Sequence, residues 1–91
     1  MVNQNLHQTL QQASQQINTA QETVLQAQGT DSQLLEQAEQ QLQQAEQYLQ
    51  QAQSQSGNEA TDNAQFQQAY RELHDVRQQV QEGLQNINDV L

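Results

Sequence analysis

Apolar residues recur along the first third of the chain with spacings that alternate between four and three. They occupy a segment of about residues 5–28 and are Leu6, Leu10, Ala13, Ile17, Ala20, Val24 and Ala27. Side chains three and four residues apart lie on the same side of an α-helix, and this alternation is typical of a coiled-coil seam. The pattern therefore predicts a first helix that buries one narrow stripe.

A second segment, about residues 31–55, repeats this rhythm with large and small residues in turn. Its seam consists of Leu35, Ala38, Leu42, Ala45, Leu49 and Ala52. Alanine leaves space at every other layer, so a facing helix can approach closely. Between the two segments, Gly29 predicts a helix stop, and Thr30 with Gln33 predicts a capping box at the start of the second helix.

The third segment, about residues 59–90, has a wider apolar stripe. Its members are Phe66, Tyr70, Leu73, Val76, Val80, Leu84, Ile87 and Leu91. A stripe of this width suits a helix that faces two partner helices. Ser56, three residues before Glu59, predicts a second capping box here. We expect the helix to continue through Gly83, although glycine inside a helix costs about 1 kcal/mol relative to alanine.

Three helices of similar length, joined by short turns, predict an all-α fold: an antiparallel up-down-up three-helix bundle with heptad (coiled-coil-like) packing. Residues 1–91 are expected to form this single domain. One alternative is a hairpin of the first two helices that dimerises through the third. The other is a disordered, aggregation-prone glutamine tract. Disorder is disfavoured because glutamine favours helices, proline is absent and the heptad phase persists.

Composition and charge narrow the classes of partner. Glutamine accounts for 27 residues, lysine is absent, and two arginines face eleven acidic residues, for a net charge of −9. This balance argues against nucleic acid and anionic membranes, both of which bind clustered basic residues. Apolar runs of two residues are too short for a spanning helix. The start of the chain lacks the features of a secretory signal, so a cytoplasmic location is expected.

The sequence predicts no catalytic, cofactor-binding or metal-binding residues. His7 and His74 are expected to lie far apart in an up-down-up bundle, and are interpreted as surface histidines. Glu36, Glu39 and Glu46 flank the second seam among glutamines, and a solvated face is favoured over an acid-base pair. The absence of cysteine excludes disulfides and thiolate sites. No enzyme activity and no cofactor are therefore expected.

The two arginines lie in the third segment. Arg71 and Asp75 are four residues apart and are expected to form a weak ion pair. Arg77 lies beside the seam, where its aliphatic stem can cover the core. Its guanidinium then either reaches a carboxylate of the second helix or extends into water, and the latter is favoured.

The aromatic residues are expected to cluster near the second turn. Phe66 and Tyr70 are four apart at the start of the third helix, and an antiparallel turn brings Tyr48 alongside them. Their role as core anchors is favoured over a binding hot spot, because an alanine-rich bundle needs its few large side chains inside.

Repeats of the Leu-x-Gln-Ala type between Leu35 and Gln53, with the acidic, lysine-free composition, give the chain a family resemblance. It resembles small uncharacterised Gln-rich helical proteins of spore-forming Gram-positive bacteria. It lacks the basic residues of the DNA-coating spore proteins. The small Gln-rich helical proteins commonly have no assigned activity, so the resemblance implies no site residues.

The expected function is a non-enzymatic structural or protein-interaction module. The alternative is a helical oligomer or regulator that shares its apolar stripe with a partner protein helix. A monomer is favoured, and a homodimer stays open. The many glutamines are interpreted as solvating helix formers, with acyl donation to a crosslinking enzyme as the alternative.

Overall fold

The computed structural model describes the backbone of residues 3–27 and 31–90 and the side chains of residues 6–27 and 31–87. Within these ranges the chain forms four helices and no strand: α1 (Asn3–Ala27), α2 (Ser32–Ser56), α3 (Asn58–Thr61) and α4 (Ala64–Val90). The molecule is elongated, with extents of 53 × 17 × 17 Å. The prediction of an all-α fold is therefore confirmed.

Asp31 caps the N-terminus of α2. Its backbone is extended, and its carboxylate accepts hydrogen bonds from the backbone N–H groups of Gln33 and Leu34, at 3.0 and 3.2 Å. These bonds satisfy donors that have no partner within the helix. The predicted stop at Gly29 and capping box at Thr30 lie outside the described residues, and the observed cap belongs to the residue after Thr30.

The helix α2 ends at Gly57, and the second predicted capping box does not form there. Its backbone has φ +53° and ψ −122°, and its N–H donates to the carbonyl oxygen of Gln53 at 2.8 Å. Ser56 is still part of α2, and no side chain caps α3. The predicted Ser56 and Glu59 box is therefore wrong, because α2 continues through Ser56 and ends at Gly57.

The third predicted helix, 59–90, is interrupted near its start. Asn58–Thr61 form the short helix α3, and α4 begins after Asn63. The Asn63 side chain accepts from the backbone N–H groups of Gln65 and Phe66, at 2.8 and 3.3 Å. Asparagine at this position favours a new helix start over continuation, because its side chain satisfies the first free N–H groups.

One apolar cluster runs through all four helices. Every predicted seam residue of α2 is at most 1% exposed. α1 and α2 share the most extensive interface, and α4 packs against both. Ala60 of α3 is also fully buried, which the sequence pattern did not predict. In α4, Ala69 is buried, whereas Tyr70, which was predicted to be buried, is half-buried. The buried face of α4 therefore includes Ala69.

Thr23, not Val24, is the buried residue near the end of α1. Thr23 is 6% exposed, whereas Val24 is half-buried. The Thr23 hydroxyl donates to the carbonyl oxygen of Thr19 at 2.9 Å, and its oxygen lies 3.1 Å from the side-chain amide of Gln41 in α2. These contacts satisfy the hydroxyl, so a polar side chain can occupy the interface with α2.

The helix α4 continues through Gly83, as predicted. A Cβ at this position would lie 2.9 Å from Cδ1 of Leu35, which is fully buried. The glycine therefore gives the Leu35 side chain room between α2 and α4.

Candidate interaction surface

The two histidines are exposed and line different grooves. His7 lies with Glu59 and Asn63 beside an opening of about 340 Å³ between α1 and the segment of α3 that leads into α4. His74 lies with Arg77 on α4, beside a groove of about 350 Å³. Among the side chains that the structure describes, no three histidine or acidic residues converge on a position for a metal ion.

Glu46 is the α2 carboxylate that contacts another helix. Arg77 donates from Nη2 to Oε1 of Glu46 at 3.2 Å, and the two side chains are 29% and 34% exposed. Of the two orientations predicted for Arg77, the structure therefore has the less favoured one, in which the guanidinium reaches a carboxylate of α2. Glu36 is exposed and Glu39 is half-buried. The bond links α4 to α2 at the margin of the core, which is a structural role.

The predicted ion pair between Arg71 and Asp75 is wrong. Within the described side chains the single salt bridge is that of Arg77 with Glu46. Arg71 and Asp75 instead lie beside an open groove of about 450 Å³ on α4. The basic-first order on a helix is the less favourable arrangement, and both residues are exposed to water.

The aromatic prediction is correct for two of three residues. The rings of Phe66 and Tyr70 meet edge to face, with centroids 5.0 Å apart and an angle of 61°. Phe66 is buried and Tyr70 is half-buried. Tyr48 packs at the margin of the core, but among the described residues it makes no ring contact with either. The pair anchors the start of α4.

The groove between the middle of α1 and the first turns of α4 is polar. It has a volume of about 250 Å³, and its lining includes Ser14, Asn18, Gln65, Gln68 and Glu72. Amide and hydroxyl groups there can donate and accept hydrogen bonds. The lining contains neither cysteine nor histidine, so it offers no nucleophile paired with an imidazole base.

The apolar core is incompletely covered where α1 ends, α2 begins and α4 ends. We call this region the open end and define it by Val24, Leu25, Leu34, Leu84 and Ile87. Leu25 is 70% exposed, and the other four side chains are half-buried against the core.

The opposite end of the molecule leaves its apolar side chains better covered, although Leu6 lies beside the opening near His7. There the short helix α3 covers the core, with Ala60 fully buried and Ala52 and Phe66 at most 5% exposed. The two ends of one small protein therefore differ in how far their apolar side chains meet water.

The helix segments that form the open end carry several carboxylates, and the described part of it holds no basic residue. The acidic residues are Glu22, Asp31, Glu36, Glu39 and Glu82. The last turns of α1 and α4 also contain no basic residue. The same helix segments thus carry both partly exposed apolar groups and negative groups.

Sequence reasoning missed Leu25. It lies beside Val24 and outside the seam, so the heptad pattern assigns it no partner. The available signal was a large apolar residue at a position where neighbouring heptads carry Asn18 and Gln11. Such a break in the polar flank is informative only when neighbouring side chains are also exposed, which the sequence does not show.

Comparison with known proteins gives no relative. No protein-family model matches the chain, and neither a curated protein nor a solved structure matches it. None of the helices in the described ranges is long and apolar enough to cross a lipid bilayer. Function is therefore inferred from the residues of this chain.

Proposed function

We propose that the chain is a non-enzymatic protein-interaction module built as an antiparallel up-down-up three-helix bundle with heptad packing. Contacts between α1 and α2 support opposite directions. The end of α1 meets the start of α2 through a hydrogen bond from the N–H of Asp31 to the oxygen of Ala27. One turn earlier in α1, Thr23 contacts Gln41, which lies further along α2.

Contacts of α4 support the rest of this topology. Leu35, early in α2, lies against Gly83, late in α4. Glu46, later in α2, bonds to Arg77, which is earlier in α4. This order is expected for antiparallel helices. His7, early in α1, shares an opening with Asn63, which precedes α4, whereas Asn18, further along α1, shares a groove with Glu72, further along α4. This order is expected for parallel helices.

The open end is the observation that carries the proposed function. Single exposed leucines are common on protein surfaces and need no explanation. Here Leu25 is accompanied by four half-buried apolar side chains at the same end, whereas Leu6, Ala60 and Phe66 at the other end are buried. Grouped apolar side chains with a charged border are typical of surfaces that bind another protein.

The alternative is an oligomer that shares its apolar stripe with a partner helix. It has less support, because the central seam residues are already covered within one chain. Leu10, Ile17, Leu42 and Val80 are fully buried without any partner. A helix could replace α4 only by exposing this core, whereas the open end is accessible without rearrangement.

Photo-crosslinking in the native host tests the proposal. A photoreactive amino acid replaces Leu25 in one protein and Gln51, an exposed residue of α2 away from the open end, in the matched control. We expect a discrete crosslinked protein from position 25 only. An excess of the unlabelled natural chain should compete with it, whereas the Leu25→Gln variant should compete poorly. Since Leu25 is 70% exposed, this variant should keep the same thermal midpoint.

Equal capture from both positions, or equal competition by Leu25→Gln, would overturn the interaction module. Sedimentation of the purified chain tests the fold separately. A monomer with a cooperative thermal transition is expected for the closed bundle, whereas a stable dimer at micromolar concentration would favour the alternative.

A further inference from the structure

We infer that the open end binds a positively charged amphipathic helix of another protein. This inference rests on the proposed function and identifies the partner's chemistry. Two properties of the surface select such a helix: apolar side chains that need a cover, and acidic side chains with no basic residue beside them in the described part of this end.

The first property is the group of apolar side chains that the chain leaves partly uncovered. The open end draws Leu25 from α1, Leu34 from α2, and Leu84 with Ile87 from α4. These side chains come from the ends of three helices, so a partner that covers them must present several apolar residues on one face. An amphipathic helix does this with residues at i, i+3, i+4 and i+7.

The second property is the charge of the border. Glu22 lies one turn before Leu25, and Asp31 lies one turn before Leu34. Side chains three residues apart are neighbours on a helix surface. Leu25 and Leu34 therefore each have a carboxylate nearby, and a partner that covers them must also meet that charge.

Helix dipoles add to this negative charge. In the proposed topology the C-termini of α1 and α4 and the N-terminus of α2 lie at the open end. Each C-terminus is equivalent to about half a negative charge, and the N-terminus to about half a positive one. The last turns of α1 and α4 contain no basic residue to offset this. Lysine or arginine side chains of a partner would supply the missing cations.

Charge disfavours a second copy of this chain as the occupant. Two copies with a net charge of −9 would bring two acidic borders together. Like charges placed opposite one another weaken association and suppress the wrong partner. Both arginines lie outside the open end, and Arg77 is already bonded to Glu46. A cationic helix meets the same surface with favourable charges.

Titration with designed peptides tests the inference. The probe is a synthetic helix of about 18 residues with leucines on one face and lysines on the other. One control peptide carries glutamines in place of the lysines, and another carries alanines in place of the leucines. Binding is measured by calorimetry and by amide chemical shifts of the full chain. The protein variants are Leu25→Gln and, away from the open end, Gln51→Ala.

We expect saturable 1:1 binding of the leucine–lysine peptide, with shifts confined to the open end. Replacing lysine by glutamine in the peptide should weaken binding about tenfold, as should Leu25→Gln in the protein, since each removes an interface contact of hot-spot size. Gln51→Ala should have no effect. The alanine–lysine peptide should bind too weakly to saturate.

Three other outcomes of the titration would contradict the inference in different ways. Equal affinity of the glutamine and lysine peptides, with shifts at the open end, would exclude charge selection and leave the proposed interaction module standing. Shifts spread over the acidic surface and unaffected by Leu25→Gln would show nonspecific attraction and overturn the inference. Failure of every peptide at the open end, together with concentration-dependent dimerisation lost in Leu25→Gln, would assign the surface to a second copy.

Discussion

At the residue scale, Gly57 allows the chain to turn between α2 and α3. It is the one described glycine with a positive φ, and its φ of +53° and ψ of −122° lie where L residues with a side chain are strongly disfavoured. A Cβ there would contact no other atom within 4 Å. The requirement for glycine is therefore conformational and does not depend on space.

Substitution of Gly57 by alanine should lower the free energy of unfolding by about 1 to 3 kcal/mol, because the backbone strain is not relieved by any contact. Thermal and urea unfolding measure the change. D-alanine, introduced by chemical synthesis, is the matched control. It favours this backbone conformation and should stabilise the fold slightly by restricting the unfolded chain. Equal effects of the two enantiomers would contradict the assigned turn.

Ile17→Ala tests the core. Ile17 is fully buried in the middle of α1, and its truncation should cost about 2 to 5 kcal/mol through lost burial and a cavity. Gln12→Ala, at an exposed position of the same helix, should change stability by no more than about 0.5 kcal/mol. Similar costs at the two positions, measured by urea unfolding, would mean that the buried face of α1 is assigned incorrectly.

At the element scale, α2 and α4 are joined by two different contacts. Near the open end the Leu35 side chain lies against Gly83, where the absence of a Cβ gives it room. Further along, Arg77 bonds to Glu46 at the edge of the core. The apolar contact fixes the spacing of the helices, whereas a half-exposed ion pair contributes about 0.2 to 1 kcal/mol.

A double-mutant cycle on Gly83 and Leu35 tests this packing. In the natural chain, the helix preference of about 1 kcal/mol for alanine over glycine should be offset because Gly83→Ala displaces the Leu35 side chain. In a Leu35→Ala background the obstruction is gone, so Gly83→Ala should stabilise the protein by about the full 1 kcal/mol. Urea unfolding of the four proteins gives the coupling. Identical effects in both backgrounds would rule out the contact.

At the scale of the whole molecule, the many acidic side chains repel one another, and few basic side chains offset this repulsion. Eleven acidic residues face two arginines, and one ion pair connects them within the described side chains. Repulsion between like charges destabilises a compact state and is screened by salt.

Raising the NaCl concentration should therefore increase the thermal midpoint, because screening of the net repulsion outweighs weakening of the Arg77–Glu46 bond. Circular dichroism melts measure this. The Glu22→Gln/Glu82→Gln variant is the control. It removes two exposed negative charges from α1 and α4 while keeping helix-forming side chains, so it should melt higher and depend less on salt. A midpoint that falls with salt would show that attractive pairs dominate.

Local spacing determined the helical class and most of the buried face. The α2 seam from Leu35 to Ala52 is buried throughout, as its period indicated. Helix spacing and the helix preference of glutamine act within one segment, so they can be read without knowing what the segment faces. The break near Ser56 was predicted for the same reason, since glycine stops helices locally.

Tertiary structure alone decided which flanking residues are buried, paired or exposed. Thr23 is buried in place of Val24 because its hydroxyl contacts the side chain of Gln41 in α2. Arg77 bonds to Glu46 because α4 packs against α2. The exposure of Leu25 is a third case. Each outcome depends on which side chain of another helix lies opposite. The spacing of residues within one segment does not show which residues of another segment they face.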